Sequence, residues 1–334
     1  MGFQISETME DLWQKQGAST DMMLSNREED RSLMENRGSK ILDKRARLGA
    51  LRCLSQMLEE MTGSQSSWFE VVLLLDHYSS HCPSLAKLPV TCAVIARMVA
   101  KDVGNDDDNY PVKTNPLLDK KSAGRAIAEG FANWMETTFN CKADDIPKHP
   151  SMIQEEMEVV KALDWKVHYP CLERWLCLYS TRFSGLIGVR SAAQFEGMKE
   201  FVRTSARAIL TTNETVAQDL SHGDLALGLF CSSLVRGGYL PLMSLKPEEV
   251  DETEWSDLFI LVAPQELGGK AEERASASSQ ILELLCMVVQ EDEKEICQKV
   301  HHAVRELKWA ARWIHNYRRN VRYGQAPLQV LAAA

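Results

Sequence analysis

The sequence predicts an all-helical protein with a buried helix at the centre of each of two halves. Three observations carry that expectation. Apolar residues recur at helical spacing along most of the chain, and no run of useful length alternates as a strand would. Residues 88–101, Leu-Pro-Val-Thr-Cys-Ala-Val-Ile-Ala-Arg-Met-Val-Ala-Lys, are apolar or small on every helical face. Such a helix has to be wrapped by others, because no side of it faces water favourably. Leu225-Ala226-Leu227-Gly228-Leu229-Phe230-Cys231 echoes the pattern in the second half, as a duplicated helical domain would.

The elements follow in order. Residues 1–39 are polar, centred on Asn26-Arg27-Glu28-Glu29-Asp30-Arg31, and read as a disordered or loosely helical tail. Periodicity starts near Ile41 and runs through Leu48, Leu51, Leu54, Met57, Leu58 and Met61 to a Gly-Ser-Gln-Ser-Ser loop. Trp68, Phe69, Val71, Val72, Leu74, Leu75 and Tyr78 form the next helix, broken at His81-Cys82-Pro83-Ser84. Pro89 suits the first turn of the 88–101 helix, where a missing N–H costs nothing. Residues 102–125 form a surface insertion. Its Asp106-Asp107-Asp108 lacks EF-hand spacing and the glycine turn, so it reads as a solvated loop.

Helical pattern resumes at 123–138, and a loop with Pro147 and Pro150 follows. Ser151 and Gln154 have the spacing of a capping box and open a helix to Trp165; another runs from Cys171 to Phe183. Gly185 and Gly188 mark the boundary between halves. Patterns at 195–210, 213–220, 222–236, 247–262 and 277–315 complete the chain, with a Gly/Ser/Ala-rich linker at 268–279. The expected organisation is a tail (1–39), a first domain (40–184, with the 102–125 insertion), a second (185–320) and a short tail (321–334).

The totals exclude several classes. With 334 residues, 45% hydrophobic and 25% charged, the chain has apolar material for two cores. A net charge of −9 and a pI near 5.5 argue against direct nucleic-acid binding, which needs a basic face. The nine cysteines form no C-x-x-C pair, and several sit in apolar runs, which points to the nucleus or cytoplasm. The first residues lack a signal peptide's pattern, and no apolar run spans a bilayer, so no membrane association is expected. Signatures of nucleotide binding, zinc hydrolysis and a nucleophile elbow are missing, so neither catalysis nor a cofactor is expected. His77 and His81 share a helix face without a third ligand, and His301-His302 is equally isolated.

Two charges stand out. On a helical wheel of 152–167, Met152, Ile153, Met157, Val159, Val160, Leu163 and Val167 share one arc, with Gln154, Glu155, Glu158 and Lys166 outside it. Glu156 falls inside. A carboxylate on a buried face needs a partner, so Glu156 either bonds locally or is held for an external backbone or cation. Its intramolecular companion is Lys101, which otherwise simply complements its helix dipole and reaches into water. The basic, aromatic segment 308–323 reads as a terminal helix packing its Trp and Tyr residues, or as a contact for phosphates, an acidic partner or an import receptor.

This arrangement resembles the cyclins, over roughly 41–180 for a first cyclin box and more weakly over 190–310 for a second. Trp68-Phe69-Glu70-Val71-Val72-Leu73-Leu74-Leu75-Asp76-His77-Tyr78 resembles the family's second helix, which ends in Asp-Arg-Phe or Asp-Arg-Tyr. Residues 88–101 resemble the central helix ending in Ala-Ser-Lys. Glu156-Met-Glu-Val-Val-Lys-Ala-Leu163-Asp-Trp165 is similar to the fifth-helix pattern, and His168-Tyr169-Pro170 to the crossing into the second box. An alternative alignment sets Ala96-Arg97-Met98 against Ala-Ser-Lys and loses the lysine; the interval from Asp76 favours Lys101.

The resemblance implies two tandem five-helix domains and a non-catalytic subunit that binds and activates a cyclin-dependent protein kinase in cell-cycle control. The alternative is a cyclin-like helical adaptor or scaffold in transcription or another pathway, without kinase activation. The kinase's regulatory helix would meet Lys101 and Glu156, flanked by Met98, Val160 and Leu163; no obligate homo-oligomer is expected. A substrate-docking patch would fall on Ala46, Gly49 and Ala50, all small. The chain also departs from the pattern. Arg47, Arg52 and Cys53 stand where Arg-x-x-x-x-Asp-Trp is expected, which removes the usual acidic partner for Arg47, and His77 replaces an arginine.

Overall fold

The computed structural model describes residues 9–36, 38, 42–62, 67–81, 88–103, 151–187, 192–213, 216–259 and 281–322. Among these residues the regular structure is entirely helical, as the sequence predicts. The 102–125 insertion beyond α4, the expected 123–138 helix, the 268–279 linker and residues 323–334 lie outside the described residues. Two compact units divide the chain: Leu33–Tyr169, and Met1–Ser32 together with Pro170–Ala334.

The first unit contains α2 (Lys44–Thr62), α3 (Ser67–His81), α4 (Leu88–Val103) and α5 (Ser151–Ala162). Asp43 caps α2, its carboxylate accepting from the Ala46 amide at 3.2 Å. Leu48, Leu51, Leu54 and Leu58 then bury one face at i, i+3 and i+4 spacing. On α3 nearly every residue from Ser67 to Ser80 is buried, and Trp68 Nε1 donates to Ser55 Oγ of α2 at 2.7 Å. At the centre sits α4, with Thr91, Cys92, Val94, Ile95, Ala96 and Val99 buried and α2, α3 and α5 packed on it.

Arg47 corrects one expectation. Although Arg52 stands where an acid was expected, Arg47 still finds a carboxylate, on the neighbouring helix rather than its own. Asp76 of α3 accepts from Arg47 Nε and Nη2, both at 2.7 Å.

The second unit is built around α9 (His222–Arg236), in which every residue from Leu225 to Val235 is buried. Helices α6 (Leu172–Ile187), α7 (Ala192–Thr212) and α12 (Glu293–Arg322) pack on it. α12 approaches closely at Gly228, where an added Cβ would lie 2.6 Å from the Ala303 Cβ. Trp175, Tyr179, Phe183, Phe195 and Phe230 form a connected aromatic cluster beneath α9. Ser221 caps α9 by accepting from the Asp224 amide at 3.0 Å.

The rest is shorter. α8 (Val216–Asp219), a 3-10 turn (Leu242–Leu245) and α10 (Glu252–Phe259) follow, and Trp255 Nε1 donates to Leu242 O at 2.9 Å. The single 277–315 pattern divides into α11 (281–289) and α12. Gln290 breaks it at φ 53°, and Asp292 restarts the helix by accepting from the Glu295 amide at 2.8 Å. On α12 Trp309 is exposed and Trp313 half-buried, so the terminal helix does not pack both tryptophans fully.

Residues 9–35 of the N-terminal segment are helical rather than disordered. They form α1 (Met9–Glu35), on which Met23, Asn26, Asp30 and Leu33 are buried. Two of those four buried residues are polar, so the helix has no apolar stripe to reveal it in the sequence.

Candidate partner-binding face

Helices α4 and α5 pack against each other and carry the residues singled out from the sequence. Lys101 lies in the last turn of α4, one turn beyond the half-buried Met98; its side chain is outside the described residues. On α5, Glu156 and Val160 are half-buried neighbours at i, i+4.

The buried face of α5 is rotated from the expected arc. Glu155, at 8% exposure, joins Val159 and Leu163 in a buried stripe at i, i+4, i+8. Met157, counted as core in the sequence, is 42% exposed. Treating Met157 as core pulled the arc one residue too far, onto Glu156. Two corrections follow. Leu163 is fully buried and belongs to the core of its own unit, so it cannot meet an outside partner. Ala46, Gly49 and Ala50 are likewise buried on α2, so they form no exposed docking patch.

One residue was missed. Trp165, just past α5, is 61% exposed, and both Asp164 and Trp165 have left-handed backbones at φ 50° and 62°. The Trp165 amide donates to Val160 O at 2.8 Å and the Asp164 amide to Lys161 O at 3.1 Å, a 6→1 and 5→2 pair that closes the helix. Glycine normally fills such positions, and a bulky residue there is a real outlier. The turn presents an indole to solvent at the C-terminal end of α5. An aromatic directly after a helix-ending aspartate was the available signal.

The histidine pair has structural duties. His81 Nδ1 and Nε2 lie 3.0 Å from the carbonyls of His77 and Asn36, and His77 stacks edge-on with Tyr169. Among the described residues no group of three His, Cys, Asp or Glu side chains could hold a metal ion. No described helix is long and apolar enough to cross a membrane. No family model matches the chain, and no curated protein matches it either.

Proposed function

We propose that this chain is a cyclin-like regulatory subunit that binds and activates a cyclin-dependent protein kinase, without catalytic residues or cofactor of its own. What supports the reading is that the packed helices α4 and α5 carry half-buried Met98, Glu156 and Val160 together with exposed Met157, and that exposed Trp165 follows α5. A carboxylate framed by apolar side chains suits the ordering of a bistable kinase helix, which needs both a fixed charge and a desolvated contact. Lys101, in the last turn of α4, supplies the matching cation. Cell-cycle control in the nucleus or cytoplasm is the corresponding role.

The test combines the purified chain with cyclin-dependent kinases. Co-elution and raised phosphorylation of a generic substrate are expected. Lys101→Ala with Glu156→Ala should abolish both while leaving the circular dichroism of the chain unchanged. A folded double variant that still binds and activates would refute the assigned face.

A further inference from the structure

α1 up to Ser32 groups with Pro170–Ala334; there Met23 is buried with its sulfur 3.3 Å from Arg182 Nη1, and Asn26 and Asp30 are buried polar residues. Arg27 donates to Gln290 O at 3.1 Å, to Val289 O, and to Glu291 Oε1 at 2.7 Å. Lys299 of α12 ties Glu291 and Asp224, each at 2.6 Å. Arg27 and Lys299 are therefore both paired with other carboxylates. Asp30 is 6% exposed, and none of the ion pairs among the described residues includes it. Its Oδ2 accepts from the Gly223 amide at 3.0 Å, so α1 caps the first turn of α9 from outside. Only glycine allows this approach: a Cβ on residue 223 would lie 2.7 Å from Asp30 Oδ2 and 2.9 Å from the Trp175 ring.

We propose that α1 is a pH-sensitive strap, docked while Asp30 carries a proton and loosened when Asp30 ionises. A charged carboxylate enclosed there bears the desolvation cost of burial without an ion pair among those described, and this outweighs the donors from Gly223 and its neighbours, which favour the ionised form. Burial pushes the Asp30 carboxyl up to about 7; hydrogen bonds from Ser221 and the Gly223 amide pull it down, Asp224 pushes it up and Trp175 pulls it down. Asp224 on α9 and Tyr179 on α6 act on Asp30 directly; the ionisable groups linked to these in turn are Arg27 on α1, Arg182 on α6, Glu291, and Lys299 on α12, and His222 precedes Gly223 on α9. Of these, histidine is the residue type whose ordinary titration falls near neutrality, so the test separates His222 from Asp30.

The sign follows from linkage. Asp30 has an ordinary value of 3.8 when free and about 7 when docked, so the docked state holds the proton more tightly. Docking is strongest below the free value, weakens as pH rises toward 7, and levels off above it. Between pH 6 and pH 8 the docking constant falls about tenfold.

Hydrogen exchange of the full chain reads this directly. Corrected for base catalysis, the protection of amides 21–32 should fall about tenfold from pH 6 to pH 8 in the native sequence. It should stay level in Asp30→Asn. In the native chain the Asp30 carboxyl carbon should titrate near neutrality by NMR. Equal protection at both pH values, the same fall in Asp30→Asn (which would assign it to His222), or a carboxyl titrating at its ordinary value would each overturn the proposal. The native-chain exchange and the carboxyl titration decide the matter even if the variant fails to fold.

Discussion

Arg47 grips Asp76 through two parallel hydrogen bonds of 2.7 Å, joining α2 to α3 across 29 residues with both side chains nearly enclosed. A buried pair of this kind contributes little over a well-packed apolar pair, but removing one partner strands a charge. Asp76→Ala is expected to lower the unfolding free energy by about 3–5 kcal/mol in urea titration. The double replacement Arg47→Met with Asp76→Leu should recover most of that loss. A single-variant loss under about 1 kcal/mol, the range of a surface pair, would show that the two groups are solvated instead.

The α9–α12 contact offers a second test. A Cβ at Gly228 would sit 2.6 Å from the Ala303 Cβ and 2.7 Å from the Lys299 carbonyl oxygen. Gly228→Ala should therefore destabilise by about 1–3 kcal/mol through overpacking, although alanine is the better helix former. Thermal unfolding would register it, and Ala303→Gly in the same chain should return part of the loss. An increase in melting temperature for the single variant would contradict the packing described.

Trp165 separates stability from binding. Asp164→Gly relieves a left-handed backbone and should stabilise the first unit by about 0.5–1 kcal/mol. Trp165→Ala leaves the core intact and should alter stability by less than about 0.5 kcal/mol. Under the proposed function it should weaken kinase binding at least tenfold, measured by calorimetry. Unchanged affinity would remove the indole from the interface.

Acid should weaken the second unit through its histidines. Burial lowers the pKa of both His301 and His302, and Arg305 adds to it. Their protonated forms are thus disfavoured in the folded state, and stability is lost as pH falls from the ordinary histidine value toward the lower folded ones. Asp30 acts in the opposite direction, so the comparison belongs in an Asp30→Asn chain. There the denaturation midpoint should drop between pH 7 and pH 5, and His301→Gln with His302→Gln should flatten that drop. An equal drop with and without the histidines would assign it elsewhere.

What was legible in the sequence follows from what each residue contacts. The two central helices were readable because apolar and small residues fall on every helical face of residues 88–96 and 225–231, a property needing no knowledge of neighbours. The docking of α1 was not readable, since Asn26, Arg27 and Asp30 are ordinary surface residues until Gly223 and Glu291 meet them. On α5 a single flexible side chain, Met157, turned the inferred core face from Glu155 to Glu156. The turn at Asp164-Trp165 carries no glycine, so the left-handed backbone that exposes the indole left no mark in the composition. Arg47 was linked to the wrong position because its carboxylate lies on another helix.

The division of the chain into units has a temporal side. Arg27 and its acceptor Glu291 are 264 positions apart, with the whole of Leu33–Tyr169 threaded between them. At ribosomal speeds of about 5–20 residues per second, roughly 13–50 s elapse after Arg27 is made before Glu291 exists. During that interval the nascent N-terminal helix has no seat. The intervening unit can complete its own folding first, and the junction between α11 and α12 then supplies the acceptors for Arg27.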